Sequence, residues 1–313
     1  MDVTAFTEFK RKLLDNCGRV IVGKDDVVEQ IAICLVAGGH VLLEDLPGTG
    51  KTMLLRAFAA SIGGRFRRIQ FTPDLMPSDL TGINFYNQKT GEFEFRPGPL
   101  FTNVVLADEI NRATPRSQSA LLEVMEEKQI SVDGVTYPMA EPYMVMATQN
   151  PVESFGTFPL PEAQMDRFFM RLSLGYMTRE QEISVLRRED SKTLAQALPQ
   201  VTGPEEIARL RQAYSAVRLG DDVAGYIMDL AEFTRKSRLL SCGVSTRGTL
   251  ALYRASQICA AMNGRDYVIP EDVKKEAAAV LPHRLTVITG SHLSSRQFTE
   301  NMLEEVPVPL ETL

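Results

Sequence analysis

The sequence predicts an α/β protein in which a parallel sheet covered by helices precedes a second, all-helical domain. Five short apolar runs are typical of buried strands, and helical or irregular segments separate them, which favours a parallel sheet. After Gly175 the remaining candidate elements are all helical. A chain of 313 residues has room for two domains, so we predict an α/β core at 1–175 and a helical domain at 176–313. The predicted strands are His40–Leu43, Phe66–Phe71, Val104–Ala107, Tyr143–Ala147 and Phe168–Leu174.

Helices and hairpins fill the segments between and after these strands. Apolar residues recur with helical spacing in residues 4–18 and 25–37, and again from Thr52 to Ser61. Asp133-Gly134 separates two short alternating runs, which is a strong signal for a β-hairpin, and a longer polar loop at 87–91 indicates a second hairpin. The predicted helices of the second domain are 178–190, 203–217, 221–239, 246–262 and 270–280.

Composition limits the kind of protein and its partners. The net charge of −6 provides no basic footprint, so we do not expect nucleic acid as a partner. The longest mostly apolar stretch, Ile31–Leu43, is shorter than the roughly 20 residues that a membrane-spanning helix needs. Four widely separated cysteines suggest buried free thiols in a reducing compartment, and we expect a cytoplasmic protein with no membrane span. His283 is expected to cap a helix or lie at the surface.

A glycine-containing loop connects the first predicted strand to a predicted helix. In this order, backbone N–H groups and the helix N-terminus form a concave site that binds phosphate. Lys51 would reach the outer phosphates of a nucleotide, and the Thr52 hydroxyl would bind Mg²⁺. Asp45 stands where the phosphate-loop pattern has its first glycine, and a loop without ligand before a core helix is the alternative. The loop and the start of the helix read Leu46, Pro47, Gly48, Thr49, Gly50, Lys51 and Thr52.

Two carboxylates end the third predicted strand. Asp108 and Glu109 follow Val104–Ala107, which places them at the carboxyl edge of the sheet, where open α/β sheets bind their ligands. Asp108 would hold Mg²⁺ directly or through water, and Glu109 would polarise the water that attacks the terminal phosphate. An isolated acidic pair more often caps a helix or lies in solvent, but the phosphate loop upstream favours the catalytic interpretation.

The fourth predicted strand ends in polar side chains at the same edge. Tyr143–Ala147 leads into Thr148, Gln149 and Asn150, and a proline follows. Asn150 could hold the attacking water or contact the γ-phosphate. A turn-forming asparagine before proline is the alternative.

Four segments in this order closely resemble the MoxR family of AAA+ ATPases. The resemblance extends from about Val20 to Arg284. It implies a P-loop ATPase of the AAA+ type, with a parallel-sheet core and a C-terminal all-helical lid. The segments are LEDLPGTGKT, VVLADEINRATPRSQSALLEVMEE, MVMATQNPVESFGTFPLPEAQMDRF and VSTRGTLAL.

The resemblance implies a role for each matching residue of the phosphate site. Lys51 and Thr52 look like the Walker A pair, and Asp108 and Glu109 look like Walker B. Asn150 looks like sensor 1. ATP and Mg²⁺ are the cofactors that these roles imply.

The resemblance also assigns residues outside that site. Arg167 is similar to an arginine finger that acts on the γ-phosphate of a neighbouring subunit, and an ion pair with Asp166 is the alternative. Arg247 looks like sensor 2, which would report loss of the γ-phosphate through movement of the lid, and a solvated arginine is the alternative. Val22 and Gly23 match the segment that contacts adenine.

The implied activity is ATP hydrolysis in a ring of identical subunits, expected to be a hexamer. The family resemblance further implies chaperone-like remodelling or activation of partner proteins, which often carry a von Willebrand factor A domain. Segments 72–101 and 130–139 would contact the partner or the pore, or would be exposed hairpins without a partner. An ATP-driven nucleic-acid motor and a nucleotide-switched scaffold without turnover remain as other classes.

Overall fold

The computed structural model describes residues 2–44, 48–149, 156–187, 198–288 and 293–309. Helices α1 (Thr4–Gly18) and α2 (Asp25–Ala37) precede the sheet and lie where the spacing of apolar residues predicts them. The α2 helix ends at Gly38, whose positive φ of 73° closes the helix in a left-handed cap. The chain then enters the first strand.

Five parallel strands form the central sheet, which confirms the predicted α/β class. The strands are β1 (Val41–Glu44), β2 (Phe66–Gln70), β5 (Val104–Asp108), β8 (Met144–Gln149) and β9 (Met170–Leu172). Their order across the sheet is β2-β5-β8-β1-β9, so parallel neighbours are joined by crossovers. Along the chain, helix α3 (Lys51–Ser61) lies between β1 and β2, and α5 (Pro115–Glu127) lies between β5 and β8.

Both faces of the sheet are covered, which explains why its strands are continuous apolar runs. Along β5, Val104 and Leu106 belong to one hydrophobic cluster, and Val105 and Ala107 belong to the other. Successive side chains of a strand point to opposite faces, so an uninterrupted apolar run buries both. Because all strands are parallel, their carboxyl ends share one edge of the sheet and their amino ends share the other.

Two antiparallel hairpins project from the core, as predicted. Gly82–Asn87 (β3) pairs with Glu92–Pro97 (β4) after the short helix α4 (Pro77–Thr81), and Gln129–Val132 (β6) pairs with Val135–Pro138 (β7). Stacking of Phe95 on Tyr137, with ring centroids 4.3 Å apart, joins one hairpin to the other. The four-residue helix α6 (Glu162–Met165) precedes β9.

Helices make up most of the chain after residue 175. Two observed helices, α10 (Thr246–Met262) and α11 (Pro270–Val280), match their predicted bounds. Three end earlier than predicted: α7 (Arg179–Leu186), α8 (Pro204–Ala213), which a 3-10 turn extends to Ala216, and α9 (Asp221–Lys236). The sequence analysis missed the last helix and the antiparallel pair β10 (Leu240–Cys242) and β11 (Thr286–Val287), so the lid is not entirely helical. The remaining helix in the described part of the lid is α12 (Ser295–Glu305).

Arg284 connects the lid to the core. Its guanidinium Nε donates to Asp166 Oδ1 at 2.7 Å, and its Nη2 donates to the carbonyl of Phe168 at the same distance. The expectation for His283 is wrong, because this side chain is 7% exposed and its Nε2 lies 2.9 Å from the same carbonyl. Burial lowers the pKa of His283, so the ring is neutral in this contact.

Three of the four cysteines are buried free thiols, as expected, and Cys242 is exposed. Over the described ranges, no helix has both the length and the apolarity to cross a membrane.

Candidate nucleotide-binding site

The phosphate loop begins directly after the carboxyl end of β1. Gly48 and Gly50 have φ angles of 87° and 89°, a left-handed conformation that only glycine adopts without strain. Gly50 is the residue from which α3 starts, so Lys51 and Thr52 form the first helical positions. The first turn of α3 contains no acidic residue, which leaves the positive end of the helix dipole for an external anion.

Four residues that the sequence analysis named lie outside the described part of the chain. They are Asp45, Leu46 and Pro47 in the phosphate loop and the sensor candidate Asn150.

Asp108 lies at the carboxyl edge of the sheet and has partners on both neighbouring strands. Its Oδ1 accepts a hydrogen bond of 2.6 Å from the Thr148 hydroxyl of β8. Its Oδ2 accepts from Arg68 of β2, at 3.0 Å from Nε and 2.5 Å from Nη2. The carboxylate is therefore held in one orientation by contacts from both sides.

Glu109 follows Asp108 in a left-handed conformation, with a φ of 57°. This conformation costs a residue with a side chain about 1–2 kcal/mol, so a specific arrangement must stabilise it. The backbone N–H of Glu109 donates to Thr148 Oγ1 at 2.8 Å. Its carboxylate Oε2 lies 2.8 Å from Gln70 Nε2 and 3.1 Å from Arg112 Nε. The carboxylates of Asp108 and Glu109 therefore have different partners.

Thr148 is a functional residue that sequence reasoning missed. Its hydroxyl donates to Asp108 and accepts from the backbone of Glu109, and the side chain is almost fully buried. The available signal was a threonine at the end of an apolar strand, next to the candidate Asn150. The partners of Thr148 cannot be identified from this signal, because they depend on which strands are neighbours in the sheet.

The residues at this edge fit a magnesium–nucleotide complex. Thr52 and Asp108 offer hydroxyl and carboxylate oxygens, the hard ligands that Mg²⁺ prefers. Within the described ranges, no group of three or more histidine, cysteine or acidic residues could hold a metal alone. Mg²⁺ typically uses one or two protein oxygens together with the phosphates of its substrate, and this donor set matches that pattern.

The segment before α2 contacts the beginning of the lid. Gly23 has a φ of 66°, and a Cβ at this position would lie 1.9 Å from Nε2 of Gln181 in α7. The buried Lys24 ammonium donates to the carbonyls of Leu174 and Tyr176, the latter at 3.2 Å. The structure therefore places Val22 and Gly23 where the core passes into the lid.

A cavity of about 530 Å³ lies between the carboxyl edge of the sheet and the lid. This volume falls within the range of small-molecule sites. Glu44, the last residue of β1, lines the cavity and forms an ion pair of 3.3 Å with Arg171 of β9. The phosphate loop follows Glu44 along the chain. Other lining residues come from α2, α11 and α12: Asp26, Val27, Lys275, Ala279 and Arg296.

Arg167 and Arg247 lie together at the opposite edge of the sheet. Arg167 precedes β9, and Glu126, near the end of α5, forms ion pairs with Arg167 Nε at 3.2 Å and with Arg247 Nη2 at 2.8 Å. The neighbouring Met125 carbonyl lies 2.9 Å from His40 Nε2, immediately before β1 begins. This group is thus at the amino edge, whereas the phosphate loop follows the carboxyl end of β1.

The phosphate loop and the pair Arg167 and Arg247 lie at opposite ends of β1, so the length of this strand separates them. Four residues of strand span about 13 Å, which exceeds the reach of an arginine side chain. The partner of Arg167 is Glu126 and not the adjacent Asp166, which instead binds Arg284 and Ser245. The structure therefore unites the phosphate loop with Asp108 and Glu109, and it places Arg167 with Arg247.

Comparison with known proteins identifies the class and then the family. A family model described as ATPase family associated with various cellular activities (AAA) matches residues 40–170, and an AAA lid domain model matches 232–306. Fold, site and these matches define an AAA-type P-loop protein with a lid. Chaperone MoxR1 from Mycobacterium tuberculosis is 41% identical over 92% of this chain and 78% of its own length. The chain belongs to the MoxR family of AAA+ ATPases.

Other similar proteins match over nearly the whole chain. The protein YeaC from Bacillus subtilis is 46% identical over 96% of this chain and 95% of its own. The crystal structure of a proposed ATPase from Cytophaga hutchinsonii superimposes with a TM-score of 0.90 and 38% identity. The superposition covers 98% of this chain and 96% of that one. These matches confirm the family resemblance and the fold predicted from the sequence.

Proposed function

We propose that this chain binds ATP with Mg²⁺ and hydrolyses it in a ring of identical subunits, with six as the expected number. The observation that carries the proposal is the arrangement of Asp108 and Glu109. Both are connected through Thr148, at the sheet edge from which the phosphate loop emerges. Two carboxylates with different partners suit the two tasks of phosphoryl transfer, which are holding the metal and positioning water.

Each residue of the site has a task in this proposal. Lys51 and the loop amides bind the outer phosphates, while Val22 and Gly23 contact the adenine. Thr52 and Asp108 would hold Mg²⁺, which would supply positive charge near the transferring phosphoryl group. Glu109 orients the attacking water and accepts its proton, and Asn150 assists in holding that water.

The position of Arg167 and Arg247 supports action on a neighbouring subunit. Both lie at the amino edge of the sheet, a strand length away from the phosphate loop of their own chain. Packing of this edge against the carboxyl edge of the next subunit would bring two guanidinium groups to its γ-phosphate. Such head-to-tail contacts form a closed ring when the successive rotations between subunits add up to a full turn.

We further propose that hydrolysis does chaperone-like work on a partner protein in the cytoplasm. The similarity to a protein named a chaperone supports this role. The free cysteines support the cytoplasmic location. Partners with a von Willebrand factor A domain are candidates, and the two hairpins are the candidate contact elements. We place the boundary between core and lid near residue 175, between β9 and α7.

Two substitutions test the activity. Lys51→Ala should abolish ATP binding, because the loop loses its only side-chain cation for the outer phosphates. Glu109→Gln should bind ATP as the wild type does and lose hydrolysis by about 100-fold or more. Calorimetry with Mg²⁺–ATP and a phosphate-release assay measure these effects, with Glu123→Gln on the exposed face of α5 as the control. Wild-type turnover in Glu109→Gln would refute the assignment of the water-activating residue.

A further inference from the structure

One carboxylate connects two arginines that come from different domains. Oε2 of Glu126 lies 3.2 Å from Arg167 Nε, and Oε1 lies 2.8 Å from Arg247 Nη2. Arg167 precedes the last strand of the core, whereas Arg247 lies in the first turn of the lid helix α10. Because each oxygen contacts a different guanidinium, Glu126 fixes the distance between the two cations.

The surrounding contacts keep the beginning of α10 against the core. Ser245, the N-cap of that helix, donates through its hydroxyl to Asp166 Oδ2 at 2.9 Å. The other oxygen of Asp166 accepts from the buried Arg284 of the lid at 2.7 Å. The position of Arg247 relative to Arg167 therefore depends on a rigid junction and not on a mobile side chain alone.

Stability of the fold does not account for this arrangement. The side chains of Glu126, Arg167 and Arg247 are 38%, 32% and 53% exposed, and ion pairs at such exposure contribute little to folding. Two guanidinium groups held side by side repel each other, and one carboxylate neutralises only one of the two charges. These three side chains together carry one net positive charge and are partly exposed, and Glu123 and Glu127 line the same small cavity as Arg167.

Both guanidinium groups keep N–H donors for a second anion besides Glu126. Arg167 approaches Glu126 through Nε, and its two terminal nitrogens carry further N–H donors. Arg247 uses one terminal nitrogen, and its planar group has five N–H donors in total. A carboxylate that binds one side of an arginine orients the remaining donors, and tetrahedral phosphate is a ligand that such forks recognise.

We infer that Glu126 is a positioning residue that aligns Arg167 and Arg247 as one unit for the terminal phosphate of a nucleotide bound by a neighbouring copy of this chain. The inference rests on the proposed function, in which both arginines act between subunits. Glu126 itself does not touch the nucleotide. It sets the separation and orientation of the two cations before the neighbouring subunit arrives.

The test is Glu126→Gln, which keeps the size of the side chain and removes its charge. We expect kcat for ATP hydrolysis to fall about ten- to hundredfold, because poorly aligned groups lose much of their effect. KM for ATP and the size of the assembly should stay within about twofold of the wild type. The control is Glu127→Gln, the next residue of α5, which lines the same small cavity as Arg167. It should keep wild-type kcat.

Mixed assemblies separate positioning from a structural defect. Lys51→Ala subunits bind no nucleotide but carry an intact arginine pair, so adding them should raise the turnover of Glu126→Gln subunits. Arg167→Ala subunits, mixed in the same way, are the reference for action between subunits. A defect confined to the folding of the Glu126→Gln subunit would not respond to its neighbours.

Several outcomes overturn the inference. Wild-type or increased kcat in Glu126→Gln does so, because the carboxylate would then be dispensable or inhibitory. Rescue of Arg167→Ala without rescue of Glu126→Gln also does so, since Glu126 would then act within its own subunit. The proposed function fails separately if the wild-type protein releases no phosphate from ATP, or if Arg167→Ala is not rescued.

Discussion

Arg68 and Asp108 form an ion pair at the carboxyl edge of the sheet, with Arg68 Nη2 2.5 Å from Asp108 Oδ2. The two residues lie on the neighbouring strands β2 and β5, in a register that sets Arg68 opposite Leu106 and Gln70 opposite Asp108. The guanidinium neutralises the carboxylate that we assign to Mg²⁺. Arginine and metal therefore compete for the same charge.

This competition predicts that Arg68→Gln will bind Mg²⁺–nucleotide at lower metal concentration. Removal of the cation makes the potential at Asp108 more negative, and a partly exposed pair of this kind is worth about 0.2–1 kcal/mol. The Mg²⁺ concentration for half-maximal hydrolysis should then fall by up to roughly fivefold at constant ATP. Arg67→Gln, on the same strand and exposed, is the matched control. An unchanged or higher Mg²⁺ requirement would contradict the competition.

Thr148→Val should lower both turnover and stability. The valine has nearly the same shape but cannot bond to Asp108 Oδ1 or to the N–H of Glu109. A buried polar group left without a partner costs about 1–3 kcal/mol, which should appear in the free energy of unfolding. We expect kcat to fall about tenfold, because both carboxylates lose their common anchor.

Thr148→Ser is the control for this substitution, since it keeps the hydroxyl and removes only a methyl group. Serine should retain most of the turnover and lose less stability than valine. Equal kcat values for the two variants would show that the hydroxyl is not what positions Asp108 and Glu109. Chemical denaturation and phosphate release measure the two effects independently.

The site shows which features a sequence can reveal. Asp108 and Glu109 were predictable because they end an apolar run, and parallel strands bring such ends to one edge. Arg68 and Thr148 contact Asp108 only because β2, β5 and β8 are neighbours, and strand order is a property of the folded sheet.

The lid illustrates a second limit. The pair β10 and β11 has three and two residues, which is too short for alternation to be detected. Asp166 was the alternative partner of Arg167 on the basis of adjacency in sequence. It instead binds Arg284, which is 118 residues away. Long-range charge pairing follows from domain packing, and no local pattern encodes it.

Arg247→Ala tests whether the lid arginine serves a neighbouring subunit. Loss of a cation at the transferring phosphate should lower kcat about 100-fold or more, whereas ATP affinity of the isolated subunit should not change. Addition of Lys51→Ala subunits should restore part of the activity, because they supply an intact Arg247 to the next site. Arg254→Ala, exposed on the same helix, should behave as the wild type. If Lys51→Ala subunits do not restore activity, Arg247 acts on the nucleotide bound by its own subunit.

Glu276 makes stability depend on pH at the contact between α2 and α11. Its carboxyl is fully buried and accepts a hydrogen bond of 3.0 Å from Gln30 Nε2. Burial raises the pKa of Glu276 from 4.5 to about 7, and the contacts with Gln30 and Lys275 offset only part of that rise. Cys259 of α10 and Glu29 of α2 are the other titratable groups that influence this carboxyl.

Between about pH 4.5 and pH 7 the folded protein thus binds more protons at Glu276 than the unfolded chain does. The free energy of unfolding then falls as pH rises through this window, by on the order of 3 kcal/mol in total. The side chain in Glu276→Gln is neutral at every pH. The free energy of unfolding of this variant relative to the wild type should therefore not change with pH near pH 4.5, and it should increase toward about pH 8. Denaturation over this range measures the difference, and Glu304→Gln, an exposed carboxylate, should show none. A difference between Glu276→Gln and wild type that does not vary with pH would mean that Glu276 is ionised in the folded protein throughout the range.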